Sequence, residues 1–369
     1  MAHDPYKALY IHLPFCISRC AYCDFATFAK SSDDPEIDRY LEGVEDKLYS
    51  YAQAGEMDAL ETVYIGGGTP SHIGTERLQS LLGVLAEVIP AWPLGEVSME
   101  ANPESAEDNL LAAVSQGGVN RLSLGVQSFD DAVLKTLGRA HDAERAQKAV
   151  RLAQNYFENI SIDLMCGIPG QSDESLRDSL VEAIDLKLQH ISVYPLTIEE
   201  HTPFDQMLLR GEFEEVDEDT QARQMELAQT LLEQAGYSRY EVASYAQPGF
   251  ACKHNIAYWS GKPYLGCGFS AATMTQNDTR RMRIQDDQIC DDLNRNQMAA
   301  EDLMLGMRMT KGFSDEEMEG FAVYLPQLYE TLESLLQDGL LSHEEGVWAP
   351  TQVGWLCGNE LYGRLFDLA

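Results

Sequence analysis

The chain has 369 residues, with 26 Lys and Arg against 60 Asp and Glu, for a formal net charge of −34. That length holds one large domain and a small one. The acidic balance excludes non-specific nucleic-acid binding and disfavours resting on anionic lipid; its plainest role is solubility. No apolar run reaches the roughly 18 residues that read as a membrane span, and Met1-Ala2-His3-Asp4-Pro5 lacks the basic and apolar regions of a signal peptide. Eight cysteines in such a chain point to a reducing, cytoplasmic setting with free thiols.

Taken in chain order, the first predicted strand is Leu9–Leu13, ended by Pro14. Directly after it comes Cys16-Ile-Ser-Arg-Cys20-Ala-Tyr-Cys23, a C-x3-C-x2-C spacing with Tyr22 before the third thiol. Three close thiolates without an obvious fourth ligand suit an iron–sulfur cluster with one iron left open; four would close it. Packing thiols, or half of a zinc site in an interaction module, are the blander readings. Further strand-like runs follow at Thr62–Ile65, Val97–Glu100, Arg121–Gln127, Ile160–Met165 and Ile191–Leu196. They recur about every 25–40 residues, the length of a βα unit. Helical stretches lie between them, among them Glu76–Val88, Ala143–Asn155 and Asp173–Leu186. The alternation predicts an α/β fold, a parallel sheet wrapped by helices.

Polar or glycine-rich punctuation falls at the C-terminal strand ends, where barrel folds gather functional groups. Gly66–Pro70 follows the second strand, and Gly67, Gly68 and Thr69 can bring backbone close to a ligand. A tight turn would use them equally, and the segment lacks a P-loop ending. Glu100 ends the third strand as a candidate ribose acceptor or a barrel-mouth salt bridge. Gln127 and Asp163 can hydrogen-bond a ligand. Arg139 offers a carboxylate fork or a surface charge.

Beyond residue 200, an acidic run covers Glu212–Asp219, a helix Gln224–Ala235 is capped by Gly236, and Tyr240–Tyr245 reads as a strand. His254-Asn-Ile-Ala-Tyr258-Trp259 reads either as a core polar network or as an axial haem ligand beside aromatic faces. Arg280, Arg281 and Arg283 form a cationic cluster suited to porphyrin propionates. Helices are expected at Glu301–Met309, Asp315–Phe321 and Pro326–Asp338. A hairpin, Leu340–Ser342 with Val347–Ala349, and a last helix, Thr351–Leu368, complete the chain. These form a small α+β module of winged-helix-like form. Its residues 291–369 carry 15 Asp and Glu against 4 Lys and Arg, so DNA is an unsuitable partner. The expected division is 1–240 for the core barrel, 241–297 for a strand and loop extension, and 298–369 for the C-terminal module.

The cysteine signature, Gly66–Ser71, Glu100–Pro103, Arg121–Phe129 with Arg139, Asp163–Pro169 and His254–Trp259 together resemble the radical S-adenosylmethionine (SAM) superfamily, specifically its coproporphyrinogen-dehydrogenase-like branch. The resemblance implies a partial (β/α)6 TIM-type barrel. It implies a [4Fe-4S] cluster on Cys16, Cys20 and Cys23, with SAM held by Tyr10, Tyr22, Gly67, Gly68, Thr69, Glu100, Gln127, Arg139 and Asp163. In that family an electron from the cluster cleaves SAM to methionine and a 5′-deoxyadenosyl radical. Within the branch two readings compete. One is a HemW-type haem chaperone with haem b as cargo. The other is an oxygen-independent oxidase that decarboxylates coproporphyrinogen III. A further porphyrin-modifying radical enzyme is a third.

Phe25 stands where the oxidase usually has a further cysteine, few residues precede Cys16, and His254–Trp259 matches the HNxxYW sequence of the chaperone type. These favour the chaperone. Against that, Gly268-Phe269-Ser270-Ala271 replaces the family's frequent Gly-Ala-His-Ser. The resemblance also implies haem-accepting respiratory proteins, reached at the membrane periphery, and a flavodoxin or ferredoxin electron donor, and it leaves room for a homodimer.

Overall fold

The computed structural model describes residues 3–369. Six parallel strands succeed one another: β1 (Ala8–Leu13), β2 (Thr62–Gly67), β3 (Glu96–Ala101), β4 (Arg121–Gln127), β5 (Ile160–Cys166) and β6 (His190–Pro195). Helices α1 (Pro35–Gln53), α2 (Thr75–Val88), α3 (Asp108–Gln116), α4 (Asp131–Leu137), α5 (Ala143–Ala153) and α6 (Asp173–Asp185) run between them. The period-two alternation decides which side each strand residue faces. Leu9, Ile11, Val63, Ile65, Val97, Met99, Leu122, Leu124, Ile162 and Leu164 are fully buried in one core with the helices' apolar stripes, such as Leu41 and Leu48 of α1. The other row is polar: Thr62 and Tyr64, Glu96, Ser98 and Glu100, Arg121 and Ser123, Ser161 and Asp163, His190 and Ser192. Parallel barrels ordinarily fill this row with branched aliphatics. Here Tyr64, Glu100, Arg121, Ser123, Asp163, His190 and Ser192 of this row line an open lumen.

The sheet extends beyond the expected six strands. After α7 (Pro203–Leu209) and α8 (Glu218–Gln234), β7 (Ser238–Arg239) and β8 (Ser244–Ala246) attach antiparallel at the β6 edge. Tyr240–Tyr245, expected as one strand, is thus split, because the chain reverses within it. At the other edge β9 (Tyr264–Cys267) pairs parallel with β1, and β10 (Ala272–Asn277), β11 (Arg280–Gln285) and β12 (Gln288–Asn294) continue antiparallel. The result is one mixed sheet of 12 strands. The HNxxYW segment, expected within a strand and loop extension, is helix α9 (Lys253–Trp259).

A separate C-terminal domain follows. It comprises α10 (Arg295–Gly306), α11 (Asp315–Ala322), α12 (Leu328–Gln337) and a small antiparallel sheet of β13 (Phe313–Ser314), β14 (Leu341–Glu344) and β15 (Val347–Pro350). The expected last helix is broken at Cys357 into α13 (Gln352–Leu356) and α14 (Gly358–Phe366). Its core, with Leu303, Met318, Leu328, Leu332, Trp348 and Leu361, is distinct from that of the barrel. Among the described residues no helix is long and apolar enough to cross a membrane.

Arg281 of β11 joins the two parts. Its guanidinium is 1% exposed and pairs with Glu301 at 2.5 Å and Asp302 at 2.6 Å, both on α10. Removing one partner of a buried ion pair strands the other charge. Arg281→Met is therefore expected to cost about 3 kcal/mol of unfolding free energy, read as a lower urea midpoint at neutral pH.

Candidate functional site

Between β1 and α1 the chain forms a loop that carries Cys16, Cys20 and Cys23 over the C-terminal ends of the strands. Its fold is fixed from several sides. Phe15–Cys16 pairs with Phe28–Ala29, Ala21 N–H donates to the Leu137 carbonyl at the end of α4, and Phe204 N–H of α7 donates to the Ala21 carbonyl. His12, on β1, bridges the Tyr10 hydroxyl and the Ala26 carbonyl, each at 2.9 Å, and so ties strand to loop.

Beneath the loop lies a cavity of ≈ 130 Å³. Cys16, Cys20, Cys23, Tyr22, Gly67, Gly68, Thr69, Glu100, Gln127, Arg139 and Asp163 all line it. The structure thus gathers every expected cluster and SAM residue except Tyr10, whose hydroxyl is spent on orienting His12. The Thr69 hydroxyl donates to Cys16 Sγ and Arg139 to Cys20 Sγ, both at 3.4 Å. Arg139 also donates to Asn102 Oδ1 and the Gly125 carbonyl, and Asn102 in turn donates to the Thr69 hydroxyl. Asn102 is therefore the hub behind the thiols. Composition gave no sign of it; its place in Glu100-Ala-Asn-Pro103, just past a strand end, was the available signal.

Burial pushes the Cys16 thiol up to about 11, and Thr69 pulls against that rise. Burial raises the Cys23 thiol as well. Thiols that must lose protons in a part-buried pocket suit bound iron, whose charge would stabilise the thiolates. Among the described residues three thiols and no fourth line this cavity, so the donor set fits a cluster with one iron left for a small ligand. The glycines serve packing too. A Cβ on Gly68 would come within 2.8 Å of Phe15 backbone, and Gly67, at φ +114°, sits against the His12 ring. Gln127 holds a left-handed backbone at φ +67° beside a register shift in β4. That strain is held by the surrounding strands and keeps Gln127 on the cavity wall.

The lumen proper is a second, larger cavity of ≈ 420 Å³ that shares Tyr22, Cys23, Phe25, Glu100, Ser123, Gln127 and Asp163 with the first. Glu100 accepts from the Tyr64 hydroxyl at 2.9 Å and from Gly67 N–H at 3.0 Å. At the lower end, Glu96 accepts from the Lys253 and His254 N–H groups at 2.8 and 3.0 Å. A buried carboxylate on β3 thus caps α9 and stabilises its N-terminus. Sequence reasoning passed over Glu96, because its partner lies far along the chain.

The expected haem residues are placed differently from one another. His254 is 1% exposed, bonds Thr62 through Nδ1 at 2.9 Å, and leaves Nε2 without a partner. Burial lowers its imidazole to about 3, so the ring is neutral. Tyr258 packs edge-on against His254 and Tyr264, and Trp259 carries the Arg308 guanidinium on its face. Neither aromatic offers an open platform. The expected propionate-binding arginines are all paired within the chain: Arg280 with Asp292, Arg281 with Glu301 and Asp302, and Arg283 with Asp291 and Glu301. The acidic chain supplies its own counter-ions across β12 and α10.

A model of the radical SAM superfamily matches residues 10–183, and a model of the HemN C-terminal domain matches residues 293–357. The chain is 34% identical, over 99% of its length and 98% of the relative's, to the heme chaperone HemW of Lactococcus lactis. It is 34% identical to that of Bacillus subtilis, over 97% of this chain and 98% of that one. The chain belongs to the HemW family of radical SAM proteins. The HemW of Escherichia coli is 39% identical over 77% of this chain and 74% of that protein. The solved coproporphyrinogen III oxidase HemN of Escherichia coli has a TM-score of 0.80, covering 99% of this chain and 90% of that chain. At 22% identity the likeness shows a common fold. The radical SAM fold of the HemW family implies a [4Fe-4S] cluster and SAM as its cofactor system.

Burial pushes the Glu100 carboxyl up to about 7; the Tyr64 hydroxyl pulls it down and the Asp163 charge pushes it up again. The folded chain therefore keeps a proton that an unfolded glutamate, at 4.5, releases. Glu100 thus destabilises the fold increasingly as pH rises from 4.5 through 7. Glu100→Gln keeps an acceptor for Tyr64 without the charge. Its urea midpoint should gain on the wild type between pH 5 and pH 8, and a constant difference across that range would contradict the assignment.

Proposed function

We propose that the chain is a haem chaperone that binds haem b and passes it to haem-accepting respiratory proteins. The correspondence with relatives named heme chaperones, over 99% of this chain, carries the reading. Cys16, Cys20 and Cys23 would ligate the [4Fe-4S] cluster. Tyr22, Gly67, Gly68, Thr69, Glu100, Gln127, Arg139 and Asp163 would hold SAM, with Tyr10 acting through His12. When bound, the cluster supplies a low-potential electron to SAM. A flavodoxin- or ferredoxin-type donor would supply that electron, in the cytoplasm or at the membrane periphery, to a monomer or a homodimer.

His254 would be the axial ligand. Its neutral ring and unpartnered Nε2 support that role, and haem would reach it by displacing the aromatic rings of Tyr64 and Tyr258 packed on it. In this reading residues 1–240 are the cofactor barrel, 241–297 carry the haem motif, and 298–369 form a winged-helix-like domain. Decarboxylation of coproporphyrinogen III is the competing reading and draws on the fold shared with the oxidase.

Anaerobic reconstitution with iron and sulfide, then SAM and reductant with either haem or coproporphyrinogen III, separates the two. Stoichiometric haem binding without protoporphyrinogen is expected. Loss of two carboxyl groups from coproporphyrinogen, with matching 5′-deoxyadenosine, would make the chain an oxidase. Ser at any of Cys16, Cys20 or Cys23 should sharply reduce the iron and sulfide retained. His254→Ala should retain the cluster and lose the Soret band of bound haem.

A further inference from the structure

We propose that the barrel lumen is a carboxylate-binding site anchored by Arg121. Among the described residues two arginines are buried, and they are treated oppositely. Arg281 is neutralised by Glu301 and Asp302. Arg121, on β4, is 3% exposed, and among the described residues no carboxylate lies within ion-pair distance and no hydrogen bond reaches its guanidinium. Its Nε is sealed without a partner, and the residue lines the ≈ 420 Å³ lumen. A buried, unpaired cation is costly, and native structures keep one where a ligand or reaction uses it.

The acids nearby are already engaged. Glu96 accepts from the α9 backbone, Glu100 from Tyr64 and Gly67, and Asp163 from Ser123 at 3.4 Å. They offset the charge of Arg121 at a distance and leave its terminal nitrogens for an occupant. The same acids select the ligand. Asp163 on the lumen wall, joined by Glu100 where it is ionised, repels a dianionic phosphate more than a monoanion, and a guanidinium fork matches a carboxylate in two parallel hydrogen bonds. Ser123, Ser192 and Asn255 supply further polar contacts on the wall, and Phe25 and Met165 an apolar one. The carboxylate comes either from a tetrapyrrole propionate, which rests on the haem-handling reading, or from a small free acid, which does not.

The test uses the full chain with its cluster reconstituted. The probes are iron-free mesoporphyrin IX, its dimethyl ester, and sodium propionate. Porphyrin binding is read by fluorescence and propionate binding by the shift in melting temperature. The wild type should bind the diacid about tenfold tighter than the diester. Arg121→Met should reduce that ratio to near one, and Arg121→Lys, which keeps the charge and loses the fork, should retain part of it. If propionate stabilises the wild type but not Arg121→Met while diacid and diester bind alike, the site stands and its ligand is a small acid. That result also stands if no porphyrin binds, which would overturn the haem reading alone. Equal diacid and diester binding together with no propionate response in the wild type overturns the proposal, whether or not the variants fold. Undiminished diacid preference in Arg121→Met overturns it too.

Discussion

Everything else in the molecule follows from the polar row that six parallel strands turn inward. A barrel whose inner row is Val, Ile and Leu packs itself shut. This one turns Tyr64, Glu100, Arg121, Asp163 and His190 inward, and polar groups there need partners, solvent or a ligand rather than close apolar packing. The lumen therefore stays open, and stability has to come from outside it. The outward apolar row and the helices supply one layer of it. The lengthened sheet edges and α9, pinned by Thr62 and Glu96 at the lower end, supply closure.

Sequence periodicity and cysteine spacing were enough to place the parallel strands and the cysteine loop, because both are local signals. Leu9–Leu13 alternates and stops at Pro14, and three thiols follow within eight positions. Strand ends carried the site residues for a topological reason: neighbouring parallel strands bring Gly67, Glu100, Gln127 and Asp163 to the same end of the sheet. What stayed hidden was pairing between distant segments. Asn102 looks like a turn residue until Arg139 and Thr69 converge on it. Glu96 looks like an ordinary strand edge until α9 is seen to start on its carboxylate. The HNxxYW segment is helical because that cap stabilises a start that its own Cys252 does not provide through a side-chain hydrogen bond.

The arginine cluster shows how a very acidic chain surrounds its own cations with counter-ions. Three arginines within four positions look like a patch awaiting an anion, yet β12 and α10 place Asp291, Asp292, Glu301 and Asp302 against them. Alternation on a hairpin sets this, since β11 and β12 pair Arg283 with Asp291 and Met282 with Asp292 in register. With a net charge of −34, a surface cation readily finds a protein carboxylate. Arg121, inside the barrel, is shielded from that supply and is left without an ion-pair partner among the described residues.

The two cavities also cannot act independently. Glu100, Gln127, Asp163 and Tyr22 belong to both walls, and Glu100 bridges Gly67, behind the thiols, to Tyr64, which stacks near His254. A ligand that changes the charge of Glu100 from above alters the field in the lumen below, and the reverse coupling has the same magnitude. Glu100 and Asp163 lie on strands that border both cavities, so the effect is carried across the strands themselves. The arrangement makes the state of the cavity beneath the cysteines a direct electrostatic input to whatever occupies the lumen.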